Sequence, residues 1–209
     1  MIEKMSNYIL DNMLIKDEKV SNDERETLQF GVTRILEDIP KYTFIIILCA
    51  LLKILPELGV AFLTTLCYKA FIGGAHAQTN MECFFYSTLY FIIPILAAKY
   101  IAVKSIISYI IYFAIFIFSL YVILKIAPAD TDQIPIINKK LRKNLRLGAL
   151  ISIMAIFIFS FLFLKNVEYR NIIMYTVMLI DIMATKPMYK FLKCKYSYES
   201  DEFKQYFNN

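Results

Sequence analysis

Histidine, cysteine and glycine are scarce in this chain, which has one histidine, four cysteines and five glycines in 209 residues. The cysteines, Cys49, Cys67, Cys83 and Cys194, form no C-x-x-C pair and show no metal-ligand spacing. That pattern suggests neither a disulfide framework nor a zinc site, and it suits a reduced, cytoplasm-facing setting. Neither a metal nor a cofactor is expected. Charge is scarce too: 20% of residues are charged against 58% hydrophobic, too little polar surface to cover a soluble globule. No internal repeat interrupts the general bias towards Ile, Lys, Asn and Tyr.

What the chain has instead is long apolar runs. Residues 83–98, 105–124 and 147–164 contain no charge, and ~20 apolar residues carry a helix across a hydrocarbon core of ~30 Å. The expected fold is all-α: a polytopic membrane protein of about six transmembrane helices, with amphipathic N-terminal helices on the cytoplasmic side. Residues 1–41 are too charged for a secretory signal peptide, so insertion is expected to rely on the mature helices. Within them Ser21 and Glu24 read as a capping box. Leu28, Val32, Ile35, Leu36 and Ile39 then recur at helical spacing up to Pro40, which is expected to end the helix. Ile2, Met5, Ile9 and Met13 mark a weaker amphipathic helix before it. Residues 42–55 and 57–71 are apolar halves divided by Lys53, Pro56, Glu57 and Gly59, which favours a hairpin of two short helices over one long kinked helix. Further spans are expected at 83–98, 105–125, 147–164 and 171–185, with a polar loop over 127–146 and a basic tail over 186–209.

The net charge is +5, and half of the 18 acidic residues lie in residues 1–41. The basic excess flanks membrane segments, which argues for topology rather than nucleic-acid binding. Lys139, Lys140, Arg142, Lys143 and Arg146 form one cluster, and Lys186, Lys190, Lys193 and Lys195 the other. Two spans separate them, so both can face the cytoplasm with the 165–170 turn outside. The stretch 73–83 then sits at the cytoplasmic end of its helix.

That stretch, Gly73-Gly74-Ala75-His76-Ala77-Gln78-Thr79-Asn80-Met81-Glu82-Cys83, holds the single histidine, a cysteine seven residues later and two of the five glycines. A cysteine is nucleophilic as its thiolate, and a neighbouring imidazole is the usual means of generating one. His76 is the side chain whose ordinary pKa lies near neutrality. On one straight helix, seven residues put the pair on one face but ~10 Å apart along the axis, too far to hydrogen-bond. The two can meet only if Gly73-Gly74 and Gln78-Thr79-Asn80 interrupt the helix. His76 would then lie on a turn and Cys83 at a helix start, where the N-terminus also lowers a thiol pKa. Gln78, Asn80 and Glu82 are candidates to orient His76 or to donate to an oxyanion, and the sequence does not choose among them. The plainer alternatives are a polar cap for His76 and inert packing for Cys83, as for Cys49 and Cys67. Asp181 stands inside an apolar run, where an ionisable group is costly and faces a bundle interior. The basic run 139–146 reads first as a topology signal and lipid-headgroup contact, and also as a place to hold an acidic peptide.

Gly73-Gly74-Ala75-His76-Ala77, followed by Cys83, resembles the accessory gene regulator protein B (AgrB) family. Ala127-Pro128-Ala129-Asp130 with Ile134-Pro135-Ile136 and the basic run resembles the family's polar loop, and Gln29-Phe30-Gly31 resembles its N-terminal motif. Length and number of spans agree, so the resemblance covers nearly the whole chain. Lys69 departs from it, because the family tends to have arginine there and lysine cannot make the same bidentate contacts. The resemblance implies a membrane-embedded cysteine endopeptidase of Gram-positive quorum sensing, in the cell membrane with its active site on the cytoplasmic side. Cys83 would attack and His76 would act as base, cutting the C-terminal part from a small amphipathic propeptide called AgrD in the family. The acyl-enzyme would pass to a propeptide cysteine or serine, closing a thiolactone or lactone ring. Gly73, Gly74, Lys69 and Gln29 would support the site, and Lys139, Lys140, Arg142 and Lys143 would hold substrate. Membrane lipid and a homodimer are further expected partners; nucleic acid is not. The rival readings are a small peptide exporter, which would show several ionisable residues inside spans or a repeat between halves, and a non-catalytic membrane scaffold. In the scaffold, His76 and Cys83 would be replaceable.

Overall fold

The computed structural model describes residues 2–14, 22–77, 79–101, 106–132 and 135–199. Among these the chain is helical apart from short connections and isolated β-bridges. It divides into two compact units, Met1–Lys53 and Ile54–Asn209.

The first unit holds α1 (Ile2–Ile9), a π-helical turn (Leu10–Leu14) and α2 (Asn22–Leu51). Leu10 is fully buried, and Ser6 joins the two helices by donating to the Gln29 carbonyl at 3.3 Å while accepting from Thr33 at 2.9 Å. The Ser21 of the expected capping box lies outside the described residues. Pro40 does not end α2, which runs through it to Leu51. Proline removes one helical N–H, but the residues beyond it are apolar, and a backbone entering an apolar medium must satisfy its polar groups within the helix. The break comes later, at Lys53, whose φ is 57°. Pro56 then sits in the first turn of the next helix, where its missing N–H costs nothing. Residues 42–71 are therefore two helices and not one long kinked one.

The second unit holds α3 (Leu55–Ile72), α4 (Asn80–Tyr100), α5 (Ile106–Lys125), α6 (Lys139–Leu162), α7 (Val167–Met183), α8 (Lys186–Phe191) and a 3-10 turn (Ser197–Glu199). Its axis is α7, which packs on α3, α4 and α5 and buries Ile172, Met174, Val177 and Ile180. Asp181 faces the bundle interior, where the Tyr68 hydroxyl donates to it at 2.8 Å and Ser119 at 2.5 Å, tying α3, α5 and α7 together. Gly148 lets α6 approach α3 closely: a Cβ there would lie 2.5 Å from the Phe71 ring.

Among the described residues, four helices are long and apolar enough to cross a membrane: Leu55–Ile72, Asn80–Tyr100, Ile107–Lys125 and Lys139–Leu162. Only 17% to 33% of their apolar windows is buried within the chain. Leu63, Ile93, Ile110, Phe113, Ile151 and Phe159 are exposed. So much bare apolar surface belongs in lipid rather than water. The protein is an all-α polytopic membrane protein. The other spans of the expected six fall on the apolar end of α2 and on α7, a helix of 17 residues that is enclosed by its neighbours and carries Glu168, Arg170 and Asp181. A second boundary, besides Pro40, differs from expectation. The basic residues 139–146 are not loop but the first two turns of α6, because the Asn138 side chain caps that helix by accepting from the Lys140 and Leu141 amides.

Candidate active site

The connection from α3 to α4 is shaped by two glycines. Gly73 ends α3 with a φ of 78°, its N–H bonded to the Lys69 carbonyl at 2.9 Å. It then forms a parallel bridge to Ala129: the Ala129 N–H donates to the Ile72 carbonyl at 2.7 Å, and the Gly74 N–H donates to the Ala129 carbonyl at 2.8 Å. A Cβ on Gly73 would lie 2.4 Å from that carbonyl oxygen, so no other residue fits without displacing the loop. On the opposite side the Ala75 N–H donates to the Met183 carbonyl at 2.9 Å, at the end of α7.

His76 follows this clamp directly and is exposed. Residues 74–77 are non-helical, and α4 begins at a new N-cap, Thr79, whose side chain accepts from the Glu82 amide. Cys83 lies in the first turn of α4, its N–H on the Thr79 carbonyl at 2.9 Å, half-buried, with its sulfur 3.9 Å from the Ser87 hydroxyl. Residues 76–83 are thus not one helix. Asn80 and Glu82 are exposed in the same first turn, whereas Gln78 lies outside the described residues. Lys69 sits with its ammonium over the Tyr90 ring, 4.5 Å from the centroid. Gln29 belongs to the first unit. Among the described residues, no three His, Cys, Asp or Glu side chains group in a way that could hold a metal ion.

Ala129 belongs to a non-helical segment, described over residues 127–132 and 135–138. Two arginines of the basic run reach back into it. Arg146 donates twice to the Ala127 carbonyl, at 3.0 and 2.9 Å. Arg142 donates to the Pro128 carbonyl at 3.2 Å and to Asp130 at 2.9 Å. The buried Asp130 carboxylate also accepts from the Ile136 amide at 2.8 Å and from Ser197 at 2.6 Å. Arg142 is therefore committed to this loop, while Lys139, Lys140 and Lys143 are exposed.

The chain after α7 completes the assembly, a role not read from its sequence. The buried Tyr189 hydroxyl lies 2.9 Å from the Ala129 carbonyl and 3.0 Å from that of Asp130. Tyr196 stacks on Tyr189 with centroids 3.7 Å apart and donates to the Ala184 carbonyl at 2.7 Å. The Cys194 thiol faces the Tyr189 carbonyl at 3.7 Å and the backbone N–H of His76. Burial pushes the Cys194 thiol pKa up, against a weaker opposing pull from that N–H.

A family model described as Accessory gene regulator B matches residues 2–184, which include the Gly-Gly turn, His76, Cys83 and the Ala127–Asp130 loop. The chain belongs to the AgrB family. An AgrB-like protein of Clostridium perfringens strain SM101 is 26% identical over 182 residues, covering 84% of this chain and 79% of the relative. An AgrB-like protein of Listeria monocytogenes strain EGD-e is 26% identical over 195 residues, 91% of this chain and 93% of its own. The accessory gene regulator protein B of Staphylococcus saprophyticus is 30% identical over 121 residues, 58% of this chain and 60% of its own. No solved structure matches the chain.

Proposed function

We propose that this AgrB-family chain is a membrane-embedded cysteine endopeptidase that cleaves an AgrD-like propeptide and closes part of it into a thiolactone or lactone. Membership of the family supports a part in quorum-sensing peptide processing. The observation that carries the catalytic reading is the break in the chain between the only histidine and Cys83. It lifts the constraint by which one straight helix would hold the two side chains ~10 Å apart along its axis. His76 takes the Cys83 proton, and the thiolate attacks the scissile carbonyl. The positive end of α4 favours both the thiolate and the tetrahedral oxyanion. Collapse breaks the C–N bond, the imidazolium proton goes to the leaving amine, and the N-terminal part remains as a Cys83 thioester. A propeptide thiol or hydroxyl then attacks that thioester while His76 accepts its proton. Ring closure expels the Cys83 thiolate, which takes the proton back.

Both basic clusters belong to elements that bond to this end of the bundle, through Arg142, Arg146 and the segment around Tyr189. The positive-inside rule therefore supports a cytoplasmic site. Lys139, Lys140 and Lys143 are suited to an acidic propeptide segment lying on the membrane surface. Co-expression with a propeptide tests the reading. Cys83→Ala and His76→Ala should each abolish cleavage while the protein still accumulates in the membrane, and cleavage by Cys83→Ala would overturn it.

A further inference from the structure

The dyad proposed above is only as good as the loop that holds His76, and that loop is held from outside its own sequence. Residues 73–75 are fixed on one side by Ala129 and on the other by Met183. Ala129 is in turn fixed by the segment that follows α7. Tyr189 is 2% exposed, and its hydroxyl addresses the Ala129 and Asp130 carbonyls together. Ser197 bonds the Asp130 carboxylate, and the Asp132 N–H bonds the Lys195 carbonyl at 3.2 Å. The segment has its own lock, because Tyr196 stacks on Tyr189 and returns its hydroxyl to Ala184. Cys194 in the same segment has its thiol pKa raised by burial and, more weakly, pulled back down by the His76 backbone N–H.

Resting on the peptidase reading, we infer that residues 184–199 form a positioning clasp for His76, with Tyr189 as its central residue. Nearly all of this segment lies beyond the residues 2–184 that carry the family match. A histidine on a non-helical connection has no helix or sheet ladder to fix it, yet proton transfer requires it within hydrogen-bond reach of the thiol. A displacement of ~1 Å is enough to cost a reaction ~100-fold. The clasp supplies that constraint by gripping the strand-like pair Gly73–Ala129 from behind. Tyr189 is a positioning residue and not a catalytic one, since its hydroxyl is spent on backbone carbonyls.

The test is the pH dependence of Cys83 alkylation by iodoacetamide, followed by mass spectrometry of the Cys83 peptide from the full chain in membranes, together with propeptide cleavage kinetics. His76→Ala should move the alkylation midpoint to higher pH. Tyr189→Phe should move it in the same direction and lower kcat about tenfold with KM unchanged, the effect of one lost hydrogen bond passed on to the dyad. Tyr100→Phe, at a 77% exposed position, should change neither. If Tyr189→Phe fails to accumulate, Ser197→Ala carries the same two expectations, because it cuts the clasp's bond to Asp130. A midpoint moved by His76→Ala but not by the clasp variant overturns the positioning role alone. A midpoint unmoved by His76→Ala overturns the dyad, and this inference with it.

Discussion

Two buried carboxylates mark two regions of this molecule that are stabilised differently. Asp130 sits at the end of the bundle that carries the Gly-Gly turn, and it takes an arginine, a backbone amide and a serine. Asp181 sits inside the bundle and, among the described residues, takes the hydroxyls of Tyr68 and Ser119. Around Asp130 the chain is non-helical, so its backbone groups need partners from elsewhere, and a fixed cation serves three acceptors at once. Around Asp181 each helix satisfies its own backbone, and the carboxylate serves to join three helices. Polar interactions shape the end that carries the site; apolar packing shapes the rest.

Breaking the first region should cost most. Asp130→Ala leaves Arg142 partly buried without its carboxylate, and removing one member of such an ion pair costs about 3–5 kcal/mol. A large drop in the detergent-solubilised melting temperature together with loss of cleavage is expected, and an unchanged melting temperature would contradict the hub assigned to Asp130. Gly73→Ala separates site from scaffold: with a Cβ 2.4 Å from the Ala129 oxygen, cleavage should be lost while circular dichroism still reports the full helical content. Asp181→Asn probes the second region. One hydroxyl donor loses its acceptor, at about 1–3 kcal/mol, so thermal stability should fall while kcat at 25 °C changes little. A selective loss of kcat would instead bring Asp181 into the mechanism. The smallest effect belongs to the exposed lysines. Replacing Lys139, Lys140 and Lys143 together by alanine should raise KM a few-fold at low salt and have less effect at high salt, because exposed charges are screened. A salt-independent change would argue against electrostatic capture.

The same division explains what could be read from the sequence. The runs 83–98, 105–124 and 147–164 gave α4, α5 and α6 because absence of charge over a bilayer's length has few other meanings. Pro40 misled because the helix rule for proline is local, whereas the continuation to Leu51 follows from the medium beyond it. The run 139–146 reads as loop on charge alone, although Asn138 supplies a helix cap and two of the cations turn back towards residues 127–130. The Gly-Gly turn and the break before Cys83 stood out through rarity: one histidine and adjacent glycines between apolar runs. The clasp left no comparable signal. Tyr189 meets Ala129 across 60 residues, and its own neighbourhood reads as a lysine-rich tail. Asp130 was visible only as part of a motif, because its partners Arg142 and Ser197 come from separate segments.

Cys194 beside the His76 backbone makes the identity of the nucleophile the point on which everything turns. The direct measurement uses the purified protein in lipid vesicles with a propeptide whose ring-closing residue is replaced by alanine, so that the acyl-enzyme cannot cyclise. Peptide mapping by mass spectrometry should then find the propeptide's N-terminal part as a thioester on Cys83, absent in His76→Ala and unaffected in Cys194→Ser. A thioester on Cys194, or continued cleavage with none on Cys83, would contradict the account.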